Sequence, residues 1–209
     1  MFLLLCTFFI VLGLVVLISG SKEGVHLTIN GIHNEVLDIF FKLFTYMGDG
    51  AVTAIAVLPI GLLLWTKHKY SPLIIGWGTL LFCGVLAQFM KRVVFPDASR
   101  PLKFFGEGIL HLVSGVDQHM AHSFPSGHTT TAFGFFAFLA IFFAKDKPFL
   151  QGFFAVCAVL IGYSRMYLSQ HFLEDVVTGA VLGLIAFLIM LIIKSKMKIN
   201  QTSGEMSSK

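Results

Sequence analysis

Six stretches of the chain are almost free of charge: Phe2 to Ile18, Ala51 to Trp65, Pro72 to Met90, Thr129 to Ala144, Phe149 to Tyr163 and Val176 to Ile193. A membrane-spanning helix takes roughly 20 residues at about 1.5 Å rise each. The shorter runs reach that length once a few polar residues at their ends join the helix. The pattern therefore predicts six helices with soft boundaries and an all-α integral membrane bundle.

Between the runs lies one other periodic segment, "NEVLDIFFKLFTYMGDG". Asn34, Asp38 and Lys42 recur every four residues, and Val36, Leu37, Phe40, Phe41, Leu43 and Phe44 fill the rest. This predicts an interfacial amphipathic helix with its narrow polar stripe toward water.

Composition agrees with the pattern. Of 209 residues, 56% are hydrophobic and only 12% charged, with 23 phenylalanines, which excludes an ordinary soluble domain. The bilayer is the expected partner, and no nucleic acid is. The first run has no basic leader, and "SGSKEG" is a poor cleavage site, so it reads as a retained span. Residues 1–198 read as one membrane domain and 199–209 as a mobile cytoplasmic tail. Cys6, Cys83 and Cys157 sit inside apolar runs and read as packing residues. Gly179 and Gly183 form a small-xxx-small pair that serves either a second copy or another helix of the same bundle, so the oligomeric state is not legible.

Charge sets the orientation. With six spans the loops alternate sides, and one side holds Lys67, Lys69, Lys145, Lys147, Lys194, Lys196, Lys198 and Lys209 against only Asp146 and Glu205. The positive-inside rule makes that side and both termini cytoplasmic. Residues 19–50, 91–128 and 164–175 then face outward. The expected location is a bacterial inner membrane, with the polar chemistry on the periplasmic or extracellular face.

Three polar clusters fall on that outer face. "KRVVFPDASRP" carries Lys91, Arg92 and Arg100. "FPSGH" places Ser126, Gly127 and His128 just before the fourth span, where a helix N-terminus offers free N–H donors to an anion. "YSRMYLSQHFLED" closes the fifth span with Ser164 and Arg165 and opens the sixth with His171 and Asp175. Alone, each is an anchoring charge, a helix cap or a hydrogen-bonded i, i+4 pair. Together they supply what metal-free attack on a phosphoryl group requires. A histidine oriented by a carboxylate serves as nucleophile, His171 with Asp175. A second histidine, His128, protonates the leaving oxygen. Lys91 or Arg92, Arg100, Arg165, Ser126 and the Gly127 N–H hold the phosphoryl oxygens.

These residues resemble the type 2 phosphatidic acid phosphatase superfamily of membrane lipid phosphatases. The family's later blocks stand as Pro125-Ser126-Gly127-His128 and as Ser164-Arg165, five residues, His171, three residues, Asp175. The first block departs from the pattern. Arg100-Pro101 follows Lys91 by eight intervening residues, or Arg92 by seven, where the family has six, so Lys91 is the better match by type and Arg92 its rival. The resemblance implies a phosphohistidine on His171, orientation by Asp175, protonation by His128, and phosphate contacts from Lys91 or Arg92, Arg100, Ser126, Gly127, Ser164 and Arg165. It implies no metal and no cofactor. The expected substrate is a membrane lipid with a phosphate or diphosphate headgroup, of the undecaprenyl diphosphate, phosphatidylglycerophosphate, phosphatidic acid or lipid A type. A lipid phosphotransferase with the same intermediate is the alternative. His111, His119 and His122 with Asp117 superficially resemble a metal cluster but read as solvated loop residues. Selectivity is expected from the loop 102–124.

Overall fold

The structure is a computed structural model that describes the backbone of residues 1–68 and 71–207 and the side chains of 1–64 and 72–196. The expected tail at 199–209 and the loop lysines Lys67 and Lys69 lie outside the described side chains. Among the described residues the fold is all helical: α1 Phe2–Ser19, α2 Lys22–Asn30, α3 Glu35–Phe44, α4 Gly50–His68, α5 Ser71–Phe89, α6 Pro101–Phe105, α7 Gly127–Phe142, α8 Pro148–Tyr167 and α9 Leu173–Ser207. A 3₁₀ turn, Thr45–Gly48, joins α3 to α4, and a π-helical turn, Met90–Val94, extends α5.

Four segments are long and apolar enough to cross a bilayer: Phe2–Ser19, Pro72–Val94, Pro148–Tyr167 and Leu173–Lys196. Glu35–Gly48 and Gly50–Leu64 qualify together as a fifth, bent by 62°. The helix Gly127–Phe142 is apolar but shorter. It is also the centre of the bundle, packed against α5, α8 and α9, with every side chain from Thr129 to Ala140 buried. A helix that is apolar all round belongs in such a place.

Close approach of α7 and α9 depends on glycine. A Cβ on Gly179 would sit 2.7 Å from the Ser126 carbonyl oxygen, and one on Gly183 would collide with the Thr130 carbonyl. Both obstacles are backbone, which cannot step aside. Small residues allow helices in lipid to gain van der Waals contact where no water is left to expel. The glycine pair is thus used within this chain. Cys6, Cys83 and Cys157 are buried and unpaired, as packing residues should be.

The polar stripe of α3 is tied to the rest of the fold, with Asn34 exposed and Asp38 and Lys42 half-buried. Asn34 caps the helix by accepting from Leu37 N at 2.9 Å. Asp38 accepts from the Tyr167 hydroxyl at 2.5 Å and pairs with His111 Nε2 at 2.9 Å. Lys42 Nζ donates to Ser114 O at 2.7 Å. The exposed face is the apolar one, with Val36, Ile39 and Leu43. The amphipathic pattern is present, and the loop 106–123 and α8 supply polar partners for Asp38 and Lys42.

The C-terminal ends of α5 and α8 and the N-terminal ends of α7 and α9 meet at one end of the bundle, under that loop. All three polar clusters converge there.

Candidate active site

His171 and Asp175 stand one helical turn apart at the start of α9, both about 2% exposed. Asp175 Oδ2 accepts from His171 Nδ1 at 3.1 Å, from Phe172 N at 3.0 Å and from the Ser123 hydroxyl. With three donors on one oxygen, the carboxylate fixes the tautomer and aim of the ring and leaves Nε2 for the neighbouring cavity, which His171 lines.

That cavity has a volume of about 330 Å³. Lys91, Arg100, Arg165, His119, His128 and His171 contribute to its wall, and among the described residues no aspartate or glutamate does. Its field is therefore strongly positive, which suits an anion. Burial first, and then the Arg100, Lys91 and Arg165 charges, hold the His171 imidazole well below its ordinary pKa. Burial and these cations favour the neutral ring, the form in which a histidine can attack.

The guanidinium groups are held by backbone as much as by side chains. Arg100 Nε donates to Ala121 O at 3.0 Å, and its Nη1 donates to Gln170 O and Oε1 at 3.2 and 3.1 Å. Arg165 Nη1 donates to Thr45 Oγ1 at 2.9 Å, while its Nε is buried without a partner. An unsatisfied buried donor of this kind costs free energy unless a ligand completes it. His171 N donates to Arg165 O at 3.1 Å, so the arginine and the histidine share one turn.

Ser126 caps α7. Its Oγ accepts from Thr129 N at 3.3 Å and from Thr129 Oγ1 at 2.9 Å, and the side chain is fully buried. Its contribution is to shape the helix start, where Gly127 and His128 line the cavity. Ser164 is likewise buried and donates to Ile161 O at 2.6 Å. Neither hydroxyl lies in the cavity wall. His128 Nε2 stands 4.0 Å from Asp49 Oδ2.

The two neighbouring basic residues separate. Lys91 lines this cavity, whereas Arg92 lines only an adjoining one. Arg92 Nε donates to Gln88 Oε1 at 3.1 Å. The loop histidines also disperse. His111 pairs with Asp38 and stacks on His33, His119 lines the cavity, and His122 Nδ1 lies 3.3 Å from Lys91 O. Among the described residues no group of three or more His, Cys, Asp or Glu is placed to hold a metal.

Ser123 was missed in the sequence, although it stands only two residues before the Pro125-Ser126-Gly127-His128 block. Thr45 and Gln170, which hold Arg165 and Arg100, gave no local signal at all.

Residues 72–198 match the family described as the PAP2 superfamily. Over 156 residues the chain is 30% identical to the lipid A 1-phosphatase of Rhizobium johnstonii, covering 68% of this chain and 62% of that protein. It is 40% identical to phosphatidylglycerophosphatase B of Bacillus subtilis over 126 residues, 56% of this chain and 62% of the other. The first two curated relatives are matched over 62% and 65% of their own length, under two thirds in each case. The crystal structure of Aquifex aeolicus LpxE superposes with a TM-score of 0.65 at 29% identity, over 81% of this chain and 93% of that one.

Proposed function

The chain belongs to the PAP2 superfamily, and from that premise we propose that it hydrolyses a phosphate monoester or diphosphate on a membrane lipid through a phosphohistidine intermediate. His171 Nε2 attacks phosphorus, the bond from phosphorus to the leaving oxygen breaks, and His128 protonates that oxygen. Water, giving its proton to His128, then hydrolyses the phosphohistidine and releases inorganic phosphate. Lys91, Arg100, Arg165 and the Gly127 N–H stabilise the charge on the equatorial oxygens. Asp175 orients His171 and stabilises the positive charge that develops on it.

One observation carries this reading. A buried imidazole, fixed on one side by a carboxylate, borders on its other side a cavity lined by the cationic Lys91, Arg100 and Arg165 and, among the described residues, by no carboxylate. Such a wall favours phosphate, and the proposed reaction uses no metal. The lipid A and phosphatidylglycerophosphate relatives support a lipid substrate.

The topology belongs to the same reading. The bent α3–α4 pair and the short, buried α7 complete six spans, with both termini cytoplasmic and the site on the outer face, in a bacterial inner membrane. There the lipid tail stays in the bilayer while the headgroup enters the cavity.

The test is the purified full chain in detergent, assayed for inorganic phosphate release from a panel of phosphorylated lipids with and without excess EDTA. Release that persists in EDTA is expected. Silence across the panel, or activity restored only by added metal, contradicts the proposal.

A further inference from the structure

Residue 170 immediately precedes His171, and its backbone bonds to both arginines of the cavity. Gln170 N donates to Arg165 O at 2.9 Å, and Gln170 O accepts from Arg100 Nη1 at 3.2 Å. The residue is 1% exposed. A side-chain amide buried to that degree is costly unless its polar atoms find partners. Here they do. Oε1 accepts from Arg100 Nη1 at 3.1 Å, and Nε2 donates to Gln118 Oε1 at 2.8 Å and to Asp117 O at 3.2 Å. Turning the amide over would set its N–H donors against a guanidinium and its oxygen against two acceptors, so the network admits one orientation.

Arg100 is committed in the same way. Its backbone N donates to Met120 O at 3.2 Å, its Nε to Ala121 O at 3.0 Å, and its Nη1 to residue 170 twice. Among the described residues no protein acceptor takes Nη2. The donor left over is the one that a phosphate oxygen can use, in a cavity that Arg100 lines. The loop 117–121 is wrapped on the same pair of side chains. Asp117 and Gln118 hold the glutamine, Met120 and Ala121 hold the arginine, and His119 between them lines the cavity.

We propose that Gln170 is the positioning residue for Arg100, fixing the guanidinium so that its free edge meets the phosphoryl oxygens and carrying the loop 117–121 with it. This rests on the phosphatase reading above. A methionine would fill much the same space, so packing alone does not call for glutamine. What methionine would lose is the aim of the arginine, whose planar fork grips phosphate only when it is turned to the oxygens.

The experiment measures binding of orthovanadate, a tetrahedral oxyanion, to the full chain in detergent by calorimetry, beside kcat/KM on the lipid panel. Gln170→Met should weaken vanadate binding about tenfold, the scale of one hydrogen bond to a charged group, and lower kcat/KM by a similar factor. Gln170→Glu keeps the length and an acceptor for Arg100 but sets an anion against it. It should weaken vanadate binding at least as much, and it stands in if Gln170→Met does not fold. The decisive arm is a double-mutant cycle with Arg100→Lys, whose ammonium lacks the fork that the glutamine holds. In that background Gln170→Met should cost less than about threefold further. The full loss recurring there, or wild-type vanadate affinity in folded Gln170→Met or Gln170→Glu, overturns the assignment and leaves the phosphatase reading intact. Wild type that neither binds vanadate nor releases phosphate from any lipid overturns both.

Discussion

The backbone N–H of Ser126 donates to the carbonyl oxygen of Asp175 at 2.9 Å. This single bond ties the start of α7, which presents Gly127 and His128, to the first turn of α9, which presents His171. Gly179 and Gly183 let the two helices lie close enough for it to form. The anion cradle and the histidine–aspartate pair therefore move as one unit, and separating the helices should disable both.

Gly183→Leu tests that coupling. The new side chain meets the Thr130 carbonyl and the Gly134 backbone, neither of which can yield. Overpacking of this kind typically costs about 1–3 kcal/mol, and more where backbone is the obstacle. A lower thermal midpoint in detergent and lost turnover are expected. An unchanged midpoint would show that the helices are not in close contact.

Ser123→Ala removes one of three donors to Asp175 Oδ2 without touching the cavity. Hydrogen bonds to charged groups contribute about 1.5–3 kcal/mol, so kcat should fall by roughly ten- to a hundredfold with KM little changed. A carboxylate with one donor fewer holds the imidazolium more tightly, so the acid limb of the rate profile should also move to higher pH. Ser123→Thr should restore much of the rate. A change confined to KM would place Ser123 in substrate binding instead.

The pH dependence has a definite sign. His171 must be neutral to attack, and its pKa in the folded protein is depressed by burial and by the surrounding cations. The acid limb of kcat/KM, which reports the free enzyme, should therefore lie below the ordinary histidine value of about 6.5. An acid limb above pH 7 would contradict this.

His26 gives a separate test on stability. It is buried between Phe105 and Phe172, with Nε2 3.4 Å from Ser169 Oγ and no partner for Nδ1. Burial above all lowers its pKa to about 4. The unfolded chain takes up a proton near pH 6.5 while the folded one does not. The contribution of a neutral His26 is thus present above about pH 6.5 and lost as pH falls toward 4, by up to roughly 3 kcal/mol. Thermal melts between pH 7 and 4 should fall less steeply in His26→Phe than in wild type. Parallel slopes would show that His26 does not carry the effect.

The sequence made the apolar runs and the two later motif blocks legible because both are local. A run of Phe, Leu and Val declares burial or lipid contact wherever it lies, and His171 with Asp175 declares itself at i, i+4. The partners of the α3 polar stripe were not legible. Asp38 and Lys42 find partners more than 70 residues away, in His111 and Ser114, and no periodicity announces a loop that folds back over a helix. Ser126 and Ser164 looked like donors to a ligand, yet nearby backbone and a threonine engage both. Lys91 and Arg92 both lie in a π-helical turn, closed by Phe95 N donating to Met90 O at 2.8 Å, that no local pattern announced.

The most direct measurement is a rapid-mixing experiment with a lipid radiolabelled on its terminal phosphate, quenched in alkali, where phosphohistidine survives. The account predicts labelled protein within the first turnover, stable to alkali and released by acid, and neither label nor turnover in correctly folded His171→Ala. Phosphate release with no labelled intermediate, or near wild-type turnover in His171→Ala, would contradict it.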